Sequence, residues 1–219
     1  MTSCVVFDFD GVLVSSNAVK RQAYTDIFTD AGLDAAAVVA AVLGEDVNGD
    51  RYETIRRILQ RLGLAGLING DTLDDRVAWY AERYNEICEA HAATCDEVPG
   101  ASDALTRLAE RYALYVVSAT PTAPLRRIVE RRGWTGRFRA VLGRPTSKDE
   151  HLRSIMASEG IGSEAIVFVG DGLLDLQAAQ AAGCRFIGVR NRFNDFDPAG
   201  LEMIPDLRAL PEIIEAAVC

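Results

Sequence analysis

The chain has 219 residues, 49% of them apolar and 25% charged, with a net charge of -9. That length suits one α/β domain or one core with an insertion, and the composition is that of an ordinary soluble globule. The acidic balance argues against nucleic acid or a membrane surface as main partner, although a metal and a few local cations can reverse the field inside a cleft.

The first run, Cys4-Val5-Val6-Phe7, is continuously apolar and reads as a central buried strand. It leads into Asp8-Phe9-Asp10-Gly11. A strand's period of two sends Asp8 and Asp10 to one side and Phe9 to the other. Two crowded carboxylates need a cation, a shared proton or strong donors. The plain alternative is a strand end followed by an Asp-Gly turn. The start shows no basic leader, no signal-type apolar segment and no bilayer-length run, so a cytoplasmic location is expected. The five cysteines (Cys4, Cys88, Cys95, Cys184, Cys219) are scattered and odd in number, which suits reduced thiols. Cys4 and Cys184 are expected in strand cores.

Ser15-Ser16-Asn17 offers N-cap chemistry for a helix over about 18–31, with Ala23, Ile27 and Ala31 on one stripe and Gly32 as its stop. Asp34 is expected to cap a second, alanine-rich helix that runs to Leu43. A polar loop precedes a helix over about 51–62, and Asp71-Thr72 opens a long helix to about 93. The block 15–96 therefore reads as an all-helical insertion in an α/β core made of 1–14 and 97–219.

After Pro99-Gly100 the α/β alternation returns. A helix over about 101–111 is followed by the strand Ala113–Val117, which ends in Ser118-Ala119-Thr120. Pro121 and Pro124 then sit at the start of a helix to about 132. A short strand near 139–142 and a helix from Lys148 to about 159 come next. The strand Ala165–Val169 ends in Gly170-Asp171-Gly172, and a helix over about 173–182 precedes the strand Arg185–Val189. Ile204 is a candidate for one small extra strand. Five strands separated by helices predict a parallel, helix-covered sheet.

Three of these junctions carry polar residues. Ser118 either meets an anion together with the following N–H groups or caps the next helix. Asp171 and Asp175 stand one helical turn apart on one face, either as a site or as helix-start acids. Lys148 opens a helix, where a cation calls for an anionic partner unless it is solvated. Lysine occurs only at Lys20 and Lys148, which singles both out.

In order, Asp8-x-Asp10-Gly11, Ser118, Lys148 and Gly170-Asp171-x-x-x-Asp175 resemble the haloacid dehalogenase-like superfamily. The match is to its phosphatase branch, with a helical cap inserted after the first motif, where phosphoglycolate phosphatase and β-phosphoglucomutase belong. The resemblance implies a three-layer Rossmann-like α/β core, with a central parallel sheet in the order 3-2-1-4-5, and a small all-helical cap. It implies a Mg2+-dependent phosphatase for a small sugar or carboxylate phosphate monoester, acting through a phospho-aspartate on Asp8. Asp10 is then the acid and later the base. Asp8, the Asp10 carbonyl and Asp171 are the implied Mg2+ ligands, with Asp175 holding Asp171 or a bound water. Ser118, the Ala119 N–H and Lys148 would hold the phosphoryl oxygens, with Gly11 among the substrate contacts.

Lys20, Asn48 and Arg51 in the cap are the expected selectors of substrate, although Asp50-Arg51 also reads simply as a helix start. Asp10 favours phosphate esters, since dehalogenase and phosphonate-cleaving relatives lack it. Gly172 departs from the Ser of many relatives, and Ser15 from their Asp. His91 and His151 are expected to be structural or solvated. A monomer or homodimer is expected. A phosphomutase using the same phospho-aspartate and a non-catalytic binding member are the alternatives.

Overall fold

The computed structural model describes residues 2–45, 51–66, 68–191, 196 and 199–216. Strand β1 (Cys4–Phe7) is followed by four helices, α1 (Asn17–Thr29), α2 (Ala36–Gly44), α3 (Arg51–Arg61) and α4 (Leu73–Ala92). Then come α5 (Ala101–Ala109), β2 (Ala113–Pro121), α6 (Thr122–Arg131), β3 (Ala140–Arg144), α7 (Lys148–Glu159) and β4 (Ile166–Gly170). The chain closes with α8 (Leu173–Ala182), β5 (Arg185–Val189), β6 (Met203–Ile204) and α9 (Leu210–Ala216). Two compact units result: Met1–Ser16 with Ala92–Cys219, and Asn17–His91.

In the α/β unit the sheet order is β3-β2-β1-β4-β5-β6, all parallel. The expected order 3-2-1-4-5 is therefore present, and Ile204 does sit in a short sixth strand beside β5. β1 is paired on both edges, with Cys4 opposite Ala113 and Ile166, so both of its faces need apolar side chains. Val5 and Phe7 enter the layer that contains Leu105 and Leu108 of α5 and Leu125 and Val129 of α6. Cys4 and Val6 enter the other, with Leu152 and Ile155 of α7 and Leu176 of α8. Phe9 continues the first layer, edge-on to Trp134 at 6.4 Å.

Two crossings join this unit to the helical insertion, and they pair with each other. Val14 forms an antiparallel bridge to Glu97, the Ser15 N–H donates to Asp96 O at 2.8 Å and the Val98 N–H to Leu13 O at 3.1 Å. Arg132 adds hydrogen bonds to the carbonyls of Ala92 at 2.7 Å and Cys95 at 2.5 Å.

The helical unit has its own core, built from Ala23, Ile27, Phe28, Val39, Ile55, Ile58, Leu59, Val77, Tyr80 and Tyr84. Phe28 stacks on Tyr80, and Tyr24 on Tyr84, each pair at 4.4 Å. No helix among the described residues is long and apolar enough to cross a membrane.

Several local expectations need correction. Helix α1 stops at Thr29, so Ala31 is exposed and Phe28 completes the buried stripe. Ser16 does not cap α1; its hydroxyl goes to Asp10. The N-cap of α2 is Ala35, with no side-chain bond, because Asp34 stands one residue too early. Thr72 does cap α4, exchanging bonds with Asp75 through N–H groups at 3.2 and 2.9 Å. β2 runs on through Ser118, Ala119 and Thr120 to Pro121, and Pro121 stands at the N-cap of α6 with no side-chain bond. Ser118 is therefore not a helix cap. Cys4 is buried in β1, whereas Cys184 lies just before β5 and is half-buried. His151 is buried, with a ring nitrogen 3.0 Å from Gly143 O.

Candidate active site

The carboxyl ends of β1, β2 and β4 and the start of α7 bring one polar cluster together, where open α/β sheets place their chemistry. Asp8 follows β1, and Lys148 opens α7 behind the N-cap Ser147. Ser147 and Glu150 form a reciprocal capping box that fixes this first turn. Lys148 Nζ lies 2.9 Å from Asp8 Oδ1 and 2.5 Å from Asp175 Oδ1. A cation at a helix start thus has its anionic partners, two buried carboxylates.

Asp171 follows β4 and Asp175 lies in the first turn of α8. Asp175 Oδ2 accepts the N–H groups of Asp171 and Gly172, both at 3.2 Å. This close packing depends on Gly170, where a Cβ would fall 2.3 Å from the Asp175 Cβ. Gly170→Ala is therefore expected to displace Asp175. It should lower unfolding stability by about 1–3 kcal/mol, read from a denaturant melt; an unchanged midpoint would show that α8 yields freely.

Asp10 is held differently. Its Oδ1 accepts the Ser16 hydroxyl at 2.6 Å and its Oδ2 the Thr120 hydroxyl at 3.1 Å. Gly11 follows with φ +81°, the left-handed backbone that turns the chain away. Ser118 is 2% exposed, and its Oγ accepts the Thr120 N–H at 3.1 Å. The β2–β3 register shifts between Val117 and Pro121, which takes Ser118–Thr120 out of the regular ladder. Beside them is a cleft of about 360 Å³, walled by Ser118, Ala119, Arg144, Lys148, Leu174 and Gln177.

Charge is unbalanced at this point. Burial pushes the Asp8 carboxyl up; Lys148 opposes that, and Asp175 and Asp10 add to it. Burial alone would lower Lys148, but the Asp175 and Asp8 carboxylates outweigh it and hold the ammonium protonated. Among the described residues Asp8 Oδ1 is buried without a hydrogen-bond partner, its ion pair with Lys148 apart. Oxygens of Asp8, Asp171 and Asp175 lie within 4.8 Å of one another. An all-oxygen, electron-rich and under-neutralised donor set of this kind fits a hard divalent cation.

Sequence reading missed three residues that touch the cluster. The sequence reads Ser16 as part of a cap and Thr120 only as the last residue of the strand end Ser118-Ala119-Thr120. Asn191, beyond β5, donates to Asp171 Oδ2 at 2.6 Å. Their common signal is a polar side chain at a strand end or chain crossing, which is weak on its own. In the helical unit, Lys20 is in α1 and half-buried. Arg51 opens α3, bonds Asn85 and lies over the Tyr84 ring at 5.8 Å. Asn48 falls outside the described residues.

A parallel α/β core with buried carboxylates and a lysine at its strand ends defines a hydrolase-type site. The model of the family described as haloacid dehalogenase-like hydrolase matches residues 2–183, and the chain belongs to that family. A phosphoglycolate phosphatase of Cereibacter sphaeroides (strain ATCC 17025 / ATH 2.4.3) is 30% identical over 188 residues, covering 83% of this chain and 82% of that one. Among solved structures, a protein described as a predicted phosphoglycolate phosphatase from Haemophilus somnus 129pt superposes with a TM-score of 0.78 at 22% identity, covering 97% and 98% of the two chains. CbbY from Rhodobacter sphaeroides, solved with phosphate, gives 0.75 at 21% identity, with 96% of each chain covered. The chain is an enzyme of the family's phosphatase type.

Proposed function

We propose that this enzyme is a Mg2+-dependent phosphatase that hydrolyses a small phosphorylated metabolite, a sugar or carboxylate phosphate monoester, through a phospho-aspartate on Asp8. The observation that carries the reading is the buried Asp8 carboxylate, with the Lys148 ammonium 2.9 Å from Oδ1 and oxygens of Asp171 and Asp175 within 4.8 Å. A carboxylate nucleophile must be ionised, and an anionic target needs positive charge around it. The oxygens that would hold the cation are those of Asp8 and Asp171, the main-chain carbonyl of Asp10 and, in support, Asp175. The bound cation would offset the repulsion between Asp8 and the phosphoryl group.

The remaining steps belong to the chain's own side chains. Ser118 Oγ, the Ala119 N–H and Lys148 Nζ bind and orient the phosphoryl oxygens. An Asp8 oxygen bonds to phosphorus as the ester P–O bond breaks, and Asp10 gives its proton to the leaving oxygen. Asp10 then takes a proton from a water whose oxygen bonds to phosphorus, and the Asp8–phosphorus link breaks. Inorganic phosphate leaves, and Asp8 and Asp10 return to their starting protonation.

The helical insertion serves as the cap, with Lys20, Asn48 and Arg51 as candidate selectors of the leaving group, in a cytoplasmic setting. Phosphate release from a panel of sugar and carboxylate phosphates tests the reading. Mg2+ should restore turnover after removal by EDTA; turnover that survives full chelation would remove the metal from the proposal.

A further inference from the structure

Thr120 stands where two parts of the site meet. Its N–H donates to Ser118 Oγ at 3.1 Å, and its hydroxyl to Asp10 Oδ2 at 3.1 Å, across 110 residues of sequence. Its backbone is held from the other side. A Cβ on Gly143 would fall 2.1 Å from Thr120 O, so β3 presses directly on this segment. The Thr122 hydroxyl accepts the Gly143 N–H at 3.0 Å and donates to Gly143 O at 3.1 Å. Thr122 thus helps to join the two strands beside Thr120.

We propose that Thr120 is a positioning residue for Asp10, fixing the carboxyl so that its proton meets the leaving-group oxygen. This inference rests on the phosphatase reading and adds a residue to it. A hydroxyl suits the task because it donates to a lone pair of Oδ2 and so fixes the carboxyl without engaging the proton that Asp10 transfers. Ser16 holds the other oxygen, Oδ1, at 2.6 Å, and the two contacts together define the plane of the carboxyl group. Positioned proton transfer is sensitive to small displacements, whereas phosphoryl binding by Ser118 and Lys148 is not routed through this bond.

The test is a leaving-group comparison on the metal-loaded enzyme. It uses kcat/KM, which reports only the steps up to phosphoryl transfer to Asp8. An alkyl phosphate needs its leaving oxygen protonated, and p-nitrophenyl phosphate scarcely does. Thr120→Val, of the same shape, should lose roughly tenfold on the alkyl phosphate and at most about twofold on the aryl phosphate. Thr120→Ser should restore the alkyl activity, because the hydroxyl returns. Equal losses on both substrates, or none on either, would overturn the role of Thr120 while leaving the wild-type phosphatase standing. The alkyl phosphate is the member of the sugar and carboxylate phosphate panel that the wild type hydrolyses fastest, and release from none of that panel overturns both readings together.

Discussion

Asp8→Asn is expected to abolish phosphate release and at the same time to stabilise the metal-free protein. The loss should be on the order of 10³-fold or more, as when a nucleophile is removed from a cooperating set. The gain follows from the charge imbalance around Asp8. Burial, with Asp175 and Asp10 beside it, raises that carboxyl from 3.8 to about 7 despite Lys148. An acid whose folded pKa is raised keeps a proton that the unfolded chain has released. Wild-type stability therefore falls as pH rises from about 4 to 7 and stays lowered above that. Asn lacks this slope, so its advantage is absent near pH 4 and complete above pH 7. Each kcal/mol would appear as about 2–4 °C in Tm for a chain of this size. Thermal melts in EDTA at pH 4, 6 and 8 give the comparison. A variant that melts below the wild type at pH 8 would mean that Asp8 is not the strained member of the cluster. Mg2+ should then stabilise the wild type by about 2.7 kcal/mol at a hundred times its Kd, and the variant much less.

Lys148→Ala should behave in the opposite sense. It removes the ammonium that lies 2.9 Å from Asp8 and 2.5 Å from Asp175. Two buried carboxylates are then left facing each other, and breaking such a pair costs about 3–5 kcal/mol. Turnover should fall by roughly 10²–10³, the loss typical of a removed charge-stabilising group. Lys148→Arg is the informative companion. A planar fork cannot replace a compact ammonium between two carboxylates at these distances, so Arg should restore stability better than turnover. If Lys148→Ala melted like the wild type, Asp8 and Asp175 would have to be neutralised by some other group.

The parts of the fold that could be read early are those set by local chemistry. The apolar run of β1 declares a strand paired on both sides, and the alternation of strands and helices declares a parallel sheet. Glycines and capping residues marked most element ends to within a few residues. Asp34 misled because a capping residue must occupy one position, and α2 begins a residue later than its composition implies. Ser118 was ambiguous for a different reason. Only the continuation of β2 to Pro121, which the sequence 118–121 does not announce, separates a site hydroxyl from a helix cap. Ser16, Thr120 and Asn191 belong to a third kind. Each has unremarkable neighbours in sequence; Thr120 and Asn191 acquire their partners, Asp10 and Asp171, only when separate strands align, and Ser16 reaches Asp10 only through the turn that begins at Gly11.

The paired crossings between Leu13–Ser15 and Asp96–Val98 bear on how such a chain can change over time. Because the two ends of the insertion are zipped together by the α/β unit itself, the entropy of closing that long loop is met by the core and not by the helices. A short turn from Ser16 to Ala92 would leave every strand pairing intact. The 75-residue helical block is therefore a replaceable module. Its sequence can drift, lengthen or be exchanged for another insert without a new solution to the core. Change in the insertion is thereby uncoupled from how the α/β unit folds.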